Sequence, residues 1–357
     1  MQKPKGLKKG DRVAIVSLSS GILGEDFAAH QLKLGKQRLK SFGLEPVTMP
    51  NSLKGPDYLK QHPEARAQDL KDAFADDTIA GIFCAIGGED TYRLLPYLLE
   101  DEVFMQNVQN KPKIFSGFSD TTVNHLMFYH LGMGSIYGLN ILSDLAELEE
   151  EMLPYTKETF LHYFAENELT KVPATQWWYE ERQDFSKEAV GTKRIRYAEK
   201  RGFELLQGSK NVSGPLLGGS LESLYECLAG ERYSDQDEVI QRYQIFPTLE
   251  EWKGKMMFLE TSEEKASPEK LREMLHVLKK AGIFSVIAGL IIGKPQNEVY
   301  YEEYKKVYKE MVDNDTTPIL YNLPFGHAFP RTLLPYGLQA TIDTKEKTLS
   351  FDESYFS

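Results

Sequence analysis

The chain has 357 residues, 41% of them hydrophobic and 27% charged, with a formal net charge of −11. That length leaves room for two ordinary domains, and the acidic excess argues against a nucleic-acid polymer as partner while leaving a nucleotide open as a small ligand. No apolar run approaches the roughly 18 residues that cross a bilayer, and none follows the basic opening before Asp11, so the expectation is a cytoplasmic protein with no membrane partner.

Extended and helical patterns alternate along the first half. Residues 12–17 (Arg-Val-Ala-Ile-Val-Ser) form a β-rich run, followed by a helical pattern over 26–42, a short extended piece at 45–49 and a charged amphipathic helix at 65–75. The apolar run 79–86 contains Cys84 and enters Gly87-Gly88, with a helical pattern at 91–99 behind it; 113–115 then leads into Gly117-Phe118-Ser119-Asp120 and a further helix start. This alternation predicts a parallel sheet with crossover helices and ligands gathered at the carboxyl ends of its strands. Two such ends are the Gly87-Gly88 turn and the Ser119 turn.

A last helix is expected at 155–166, and the segment 172–210 is polar and aromatic, with Trp177-Trp178-Tyr179 and Phe185. The glycine-rich stretch 214–220 enters a helix at 221–228. A strand at 255–260 ends in a carboxylate, an amphipathic helix spans 267–281, and buried strands fall at 286–293 and 319–321. Two more β segments, 338–342 and 348–351, close the chain. The natural division is 1–165 and 166–357. Cys84 and Cys227 sit in apolar settings without C-x-x-C spacing and read as small buried hydrophobes, neither a disulfide nor metal ligands.

A serine on a sharp strand-to-helix turn presents its hydroxyl beside the positive end of a helix, as an acyl-transfer nucleophile requires. Gly117 fits the first glycine of G-x-S-x-G, but Thr121 replaces the second, and these four residues alone equally suit a Ser or Asp helix cap. Among seven histidines, His327 differs in following Gly326 in a loop after a strand. Glu260 ends an apolar run, where a carboxylate needs a partner. The absence of G-x-G-x-x-G after the first strand argues against a dinucleotide-dependent oxidoreductase. A non-catalytic two-domain protein that clamps a peptide or nucleotide is the rival of another class, since the two Gly-Gly turns would serve it equally well.

Taken together, Leu7-x-x-Gly10-Asp11-x-Val13-Ala14-Ile15-Val16-x-x-Ser19-Ser20, Ala85-Ile86-Gly87-Gly88, Gly117-Phe118-Ser119-Asp120, Gly214-Pro215-Leu216-Leu217-Gly218-Gly219, Phe258-Leu259-Glu260 and His327 resemble the serine LD-carboxypeptidases and the related microcin C immunity proteins. The resemblance implies an α/β fold: a class I amidotransferase-like, Rossmann-like parallel-sheet domain carrying the serine, and a mixed β-rich α/β second domain supplying the Glu and His. It implies Ser119 as nucleophile, His327 as general base and Glu260 as the group orienting the imidazole. The backbone N–H groups of Gly88 and Asp120 would form the oxyanion hole, and Gly87, Trp178, Phe185 and Ser220 would bind substrate. No metal or organic cofactor is implied, and the expected assembly is a homodimer acting on a small-molecule or peptide substrate.

The family divides between murein peptides and aminoacyl nucleotides of the processed microcin C type. Trp178 and Phe185 resemble the aromatic loop that stacks a nucleobase in the immunity type, since stacking asks only for a flat π face. Ser220 stands where aspartyl-binding members carry Asn, and Glu264 where they carry Lys, which predicts rejection of an acidic acyl side chain. Arg93, Lys294 and Arg331 are further candidates for a terminal carboxylate. Activity through His327 predicts an acid limb at about pH 6 to 7.

Overall fold

A computed structural model describes residues 1–357. The chain forms two compact units, one of residues 1–168, 182–194 and 355–357, the other of residues 169–181 and 195–354. No helix is long and apolar enough to cross a membrane.

In the first unit five strands, β1 (Arg12–Val16), β2 (Glu45–Thr48), β3 (Ile79–Cys84), β4 (Ile114–Gly117) and β5 (Ser135–Tyr137), run parallel in the order β5-β4-β3-β1-β2. Val13 to Val16 and Ile82 to Cys84 are fully buried, which is why these strands read as continuous apolar runs and not as alternating ones. The helices Ala29–Ser41 and Pro63–Ala75 form where expected. Pro63 opens the second, and Ala67, Leu70, Ala73 and Phe74 recur at helical spacing on its buried side. Each large apolar side chain so buried contributes about 1.5–3 kcal/mol. The last helix expected is shorter, Pro154–Leu161, because residues 165–167 form a separate tight turn.

The second unit holds β6 (Trp177–Tyr179), β7 (Arg196–Ala198), β8 (Glu204–Gln207), β9 (Val212–Ser220), β10 (Met256–Glu260), β11 (Gly289–Gly293), β12 (Ile319–Leu323), β13 (Leu334–Tyr336), β14 (Gln339–Asp343) and β15 (Thr348–Phe351). Its sheet runs β15-β14-β9-β10-β11-β12-β8, with a parallel centre from β9 to β12 and antiparallel strands on both flanks. Helices Leu221–Ala229, Pro268–Lys280 and Tyr301–Val312 supply its crossovers. Strands β6 and β7 pair as an antiparallel hairpin that carries the tryptophans. The mixed sheet matches the β-rich second domain expected, and the carboxyl ends of β9, β10 and β12 carry Ser220, Glu260 and the loop leading to His327.

Candidate active site

Strand β4 ends at Gly117, Phe118 is extended, and Ser119 takes the left-handed conformation at φ 68° before the helix Thr122–His130. A non-glycine residue there costs on the order of 1 kcal/mol or more and persists only where its surroundings fix it. The fixing contacts are local. The Ser119 N–H donates to Tyr137 Oη at 3.1 Å, and Thr122 Oγ1 donates to the Ser119 carbonyl at 2.7 Å. Beneath the turn, fully buried His125 donates from Nε2 to the Gly117 carbonyl at 3.0 Å and accepts at Nδ1 from Ser135 Oγ at 2.7 Å. Burial pushes that imidazole down to about 4, so it is neutral and structural.

The capping alternative does not describe this turn. No side-chain hydrogen bond caps either the 119–121 turn or the helix that follows. The Asp120 carboxylate turns instead to the neighbouring loops, accepting from Ser19 Oγ at 2.6 Å and the Thr91 N–H at 2.9 Å. Burial raises it to about 6. Gly87 and Gly88 are required by close approach: a Cβ on Gly87 would lie 2.7 Å from Ser119 Cβ and 3.0 Å from its hydroxyl, and one on Gly88 2.2 Å from Ser19 Oγ. The buried Arg66–Asp90 pair, at 2.6 Å, braces the same loops through the carbonyls of Leu18 and Ser19.

In the second unit Glu260, 1% exposed, ends β10 and meets His327, 7% exposed, in the loop after β12. One carboxylate oxygen accepts from His327 Nδ1 at 2.7 Å and from the His327 backbone N–H at 3.2 Å. This fixes both ring and backbone and places a proton on Nδ1. Gly326, at φ +80°, makes the approach possible, since a Cβ there would lie 2.3 Å from the Glu260 side chain. Arg331 and Gln296 hold the His327 carbonyl at 3.1 and 3.3 Å.

Glu263, which no sequence signal singled out, comes within 2.9 Å of His327 Nε2, so the imidazole lies between two carboxylates. Burial alone would lower the His327 pKa. The Glu260 charge, the bonds to Glu260 and Glu263 and the Glu263 charge together outweigh that and push it up to about 10. That lies above the ordinary histidine value of about 6.5. Glu222, on the helix Leu221–Ala229, accepts from the Ser262 N–H and Oγ, both at 2.9 Å, and so braces the loop that carries Glu263.

The other candidates divide. Ser220 is buried and caps the helix Leu221–Ala229 through the Ser223 N–H, while donating to Glu222 at 3.1 Å. Trp178 stacks on Tyr197 with ring centroids 4.5 Å apart and has Lys294 Nζ at 5.3 Å. Phe185 is 41% exposed on the 182–194 segment, which belongs to the first unit, where Arg182 and Arg194 grip buried Glu147. Glu264 pairs with Arg232 at 3.1 Å, and half-exposed Arg93 lies 3.7 Å from Asp90. Two of the cations proposed for a terminal carboxylate are committed elsewhere. Lys294 is buried against Glu199 and Glu298, and Arg331 is buried on the carbonyls of Gly326 and His327.

Residues 13–138 match the LD-carboxypeptidase N-terminal domain and residues 213–342 the LD-carboxypeptidase C-terminal domain, both of peptidase S66. The "Probable murein peptide carboxypeptidase" of Bacillus subtilis is 26% identical over 97% of this chain and 93% of its own length. The microcin C7 self-immunity protein MccF of Escherichia coli is 24% identical over 82% and 79%. The crystal structure of an MccF-like protein from Streptococcus pneumoniae in complex with AMP superposes with a TM-score of 0.92 at 49% identity, covering 96% of this chain and 99% of that one. Two family domains in order, on an α/β scaffold with a serine turn in one unit and a paired Glu and His in the other, assign the chain to the LD-carboxypeptidase family, peptidase S66, as a serine-type carboxypeptidase.

Proposed function

We propose that the protein hydrolyses an amide or acyl bond near a free C-terminus, in aminoacyl-nucleotide conjugates of the microcin C type or related peptide conjugates, with Ser119 as nucleophile, His327 as base and Glu260 as its orienting acid. The observation that carries the triad is the Glu260–His327 pair at 2.7 Å, which fixes the tautomer a serine-activating base needs. His327 Nε2 takes the Ser119 proton as the hydroxyl attacks the acyl carbon, then delivers it to the leaving group. Water repeats the sequence on the acyl-enzyme. The backbone N–H groups of Gly88 and Asp120 receive the developing oxyanion. Each half-reaction leaves His327 neutral again: the leaving group carries off the Ser119 proton, water restores it, and one water is consumed with no external acid or oxidant.

The substrate class is supported by the AMP complex of the 49% identical MccF-like relative. Trp178, held on the hairpin by Tyr197, supplies a π face for a base. A murein tetrapeptide is the second reading, favoured by the Bacillus subtilis relative's name. The test is hydrolysis of an aminoacyl sulfamoyl adenosine and of a murein tetrapeptide by wild type and by Ser119→Ala. Cleavage of the nucleotide conjugate, lost in Ser119→Ala, supports the proposal. Cleavage of the tetrapeptide alone transfers it to cell-wall peptides, and turnover that survives Ser119→Ala overturns the nucleophile.

A further inference from the structure

His327 has a carboxylate at each ring nitrogen, and the two differ in kind. Glu260 is buried at the end of a strand and bonds both ring and backbone. Glu263 is 57% exposed on the following loop and meets the ring at Nε2. A permanent orienting group is built like the first of these. The second is a side chain able to swing away at little cost, occupying the one nitrogen that a base must offer its nucleophile.

We propose that Glu263 is a latch: in the free protein it holds His327 as a doubly bonded imidazolium unable to accept a proton, and a substrate bearing an ammonium group draws the carboxylate away, so that the imidazolium gives its Nε2 proton to solvent water and Nε2 is free to act as base. The inference rests on His327 being the base. The surrounding charges favour a cationic trigger. Glu222 from the helix Leu221–Ala229, Glu260 from β10 and Glu263 from the loop give three carboxylates about the imidazole; of the cations nearby, Arg232 pairs with Glu264 while its charge also reaches Glu263, Lys265 faces Glu181, and Arg331 is spent on backbone carbonyls. A free α-ammonium group complements that surplus, and an acylated amine does not. The His327 bond to Glu263 also holds that carboxyl down to about 2, so it stays ionised and able to pair with a cation at any working pH.

The latch is a positioning element, and its direct readout is the imidazole itself. NMR titration of His327 should show its pKa falling by about one unit or more in Glu263→Gln, each unit being a tenfold change in the proton equilibrium; Glu263→Ala, which also removes the acceptor, should show at least as large a fall. In Ser119→Ala protein, saturating alanyl sulfamoyl adenosine should lower the same pKa, whereas its N-acetyl derivative should not. A His327 titration unmoved by either Glu263 substitution overturns the latch. Equal response to the free and acetylated amine, or response to neither, overturns the cationic trigger. Failure of the base assignment is separate: it would show as hydrolysis surviving in His327→Gln.

Discussion

One oxygen of Glu260 serves both the ring and the backbone of His327, a residue 67 positions later, at 2.7 and 3.2 Å. A carboxylate so placed sets rotamer, tautomer and charge of the imidazole at once. Glu260→Gln keeps the shape but places an amide where only an acceptor fits. The expected result is a loss in kcat of about 10⁴-fold, the size seen when the acid of a serine triad becomes an amide. Steady-state rates on the cleaved substrate check it, and a loss below tenfold would remove Glu260 from the catalytic unit.

The charge on His327 also sets the pH response. Burial disfavours the imidazolium, but Glu260 and Glu263 more than offset it and the pKa rises to about 10. For activity, the free enzyme should gain kcat/KM with rising pH above the ordinary histidine range of about 6.5. A plateau already reached at pH 6 would contradict the doubly bonded state.

For stability the sign is that of a raised base. The stabilisation is fully present below the unfolded value of about 6.5 and is lost as pH rises through the folded value of about 10. Urea midpoints of wild type and His327→Gln should therefore converge between pH 6.5 and 10. Midpoints that keep a constant gap across that window would exclude the linkage.

Much of this was legible because it is local. The Ser119 turn lies between an apolar strand and a helix within a dozen residues, and Gly87-Gly88 directly follows a strand. Glu260 and His327 stood out only as a strand-end carboxylate and a loop imidazole, and their pairing came through family resemblance. Contacts made across the fold left no such trace. Glu263 belongs to no motif, and Lys294 looked like a free cation because Glu199 reaches it from 95 residues away. The helix Tyr301–Val312 escaped notice because tyrosines form much of its buried side, and β5 because it is three residues long. The hairpin β6–β7 sits in a polar stretch whose pattern gives no period.

Gly326 offers a test of precision in the second unit. Gly326→Ala would push a methyl to within 2.3 Å of Glu260 Cγ and strain the φ of +80°. The protein should fold, with kcat reduced on the order of 10²-fold, the scale of a displacement near 1 Å at a reacting group. Circular dichroism together with kcat decides it. Full activity in a folded Gly326→Ala variant would show that the Glu260–His327 spacing is not critical.

Glu147 is the corresponding test in the first unit. Burial would raise its pKa, but Arg194 and Arg182 hold it below the usual carboxylate value, at 2.5 and 2.9 Å. Glu147→Gln leaves two guanidinium groups facing a neutral amide in a site almost closed to water. Breaking a buried pair in this way costs about 3–5 kcal/mol, so a clear fall in the urea midpoint is expected. The 182–194 segment hangs on this carboxylate, and the Gly191 N–H adds a backbone bond to Leu148. Limited proteolysis should therefore cut the variant first within that segment, which carries Phe185. If the midpoint falls while the segment keeps its wild-type resistance, the ion cluster stabilises the unit as a whole and does not hold the aromatic segment in place.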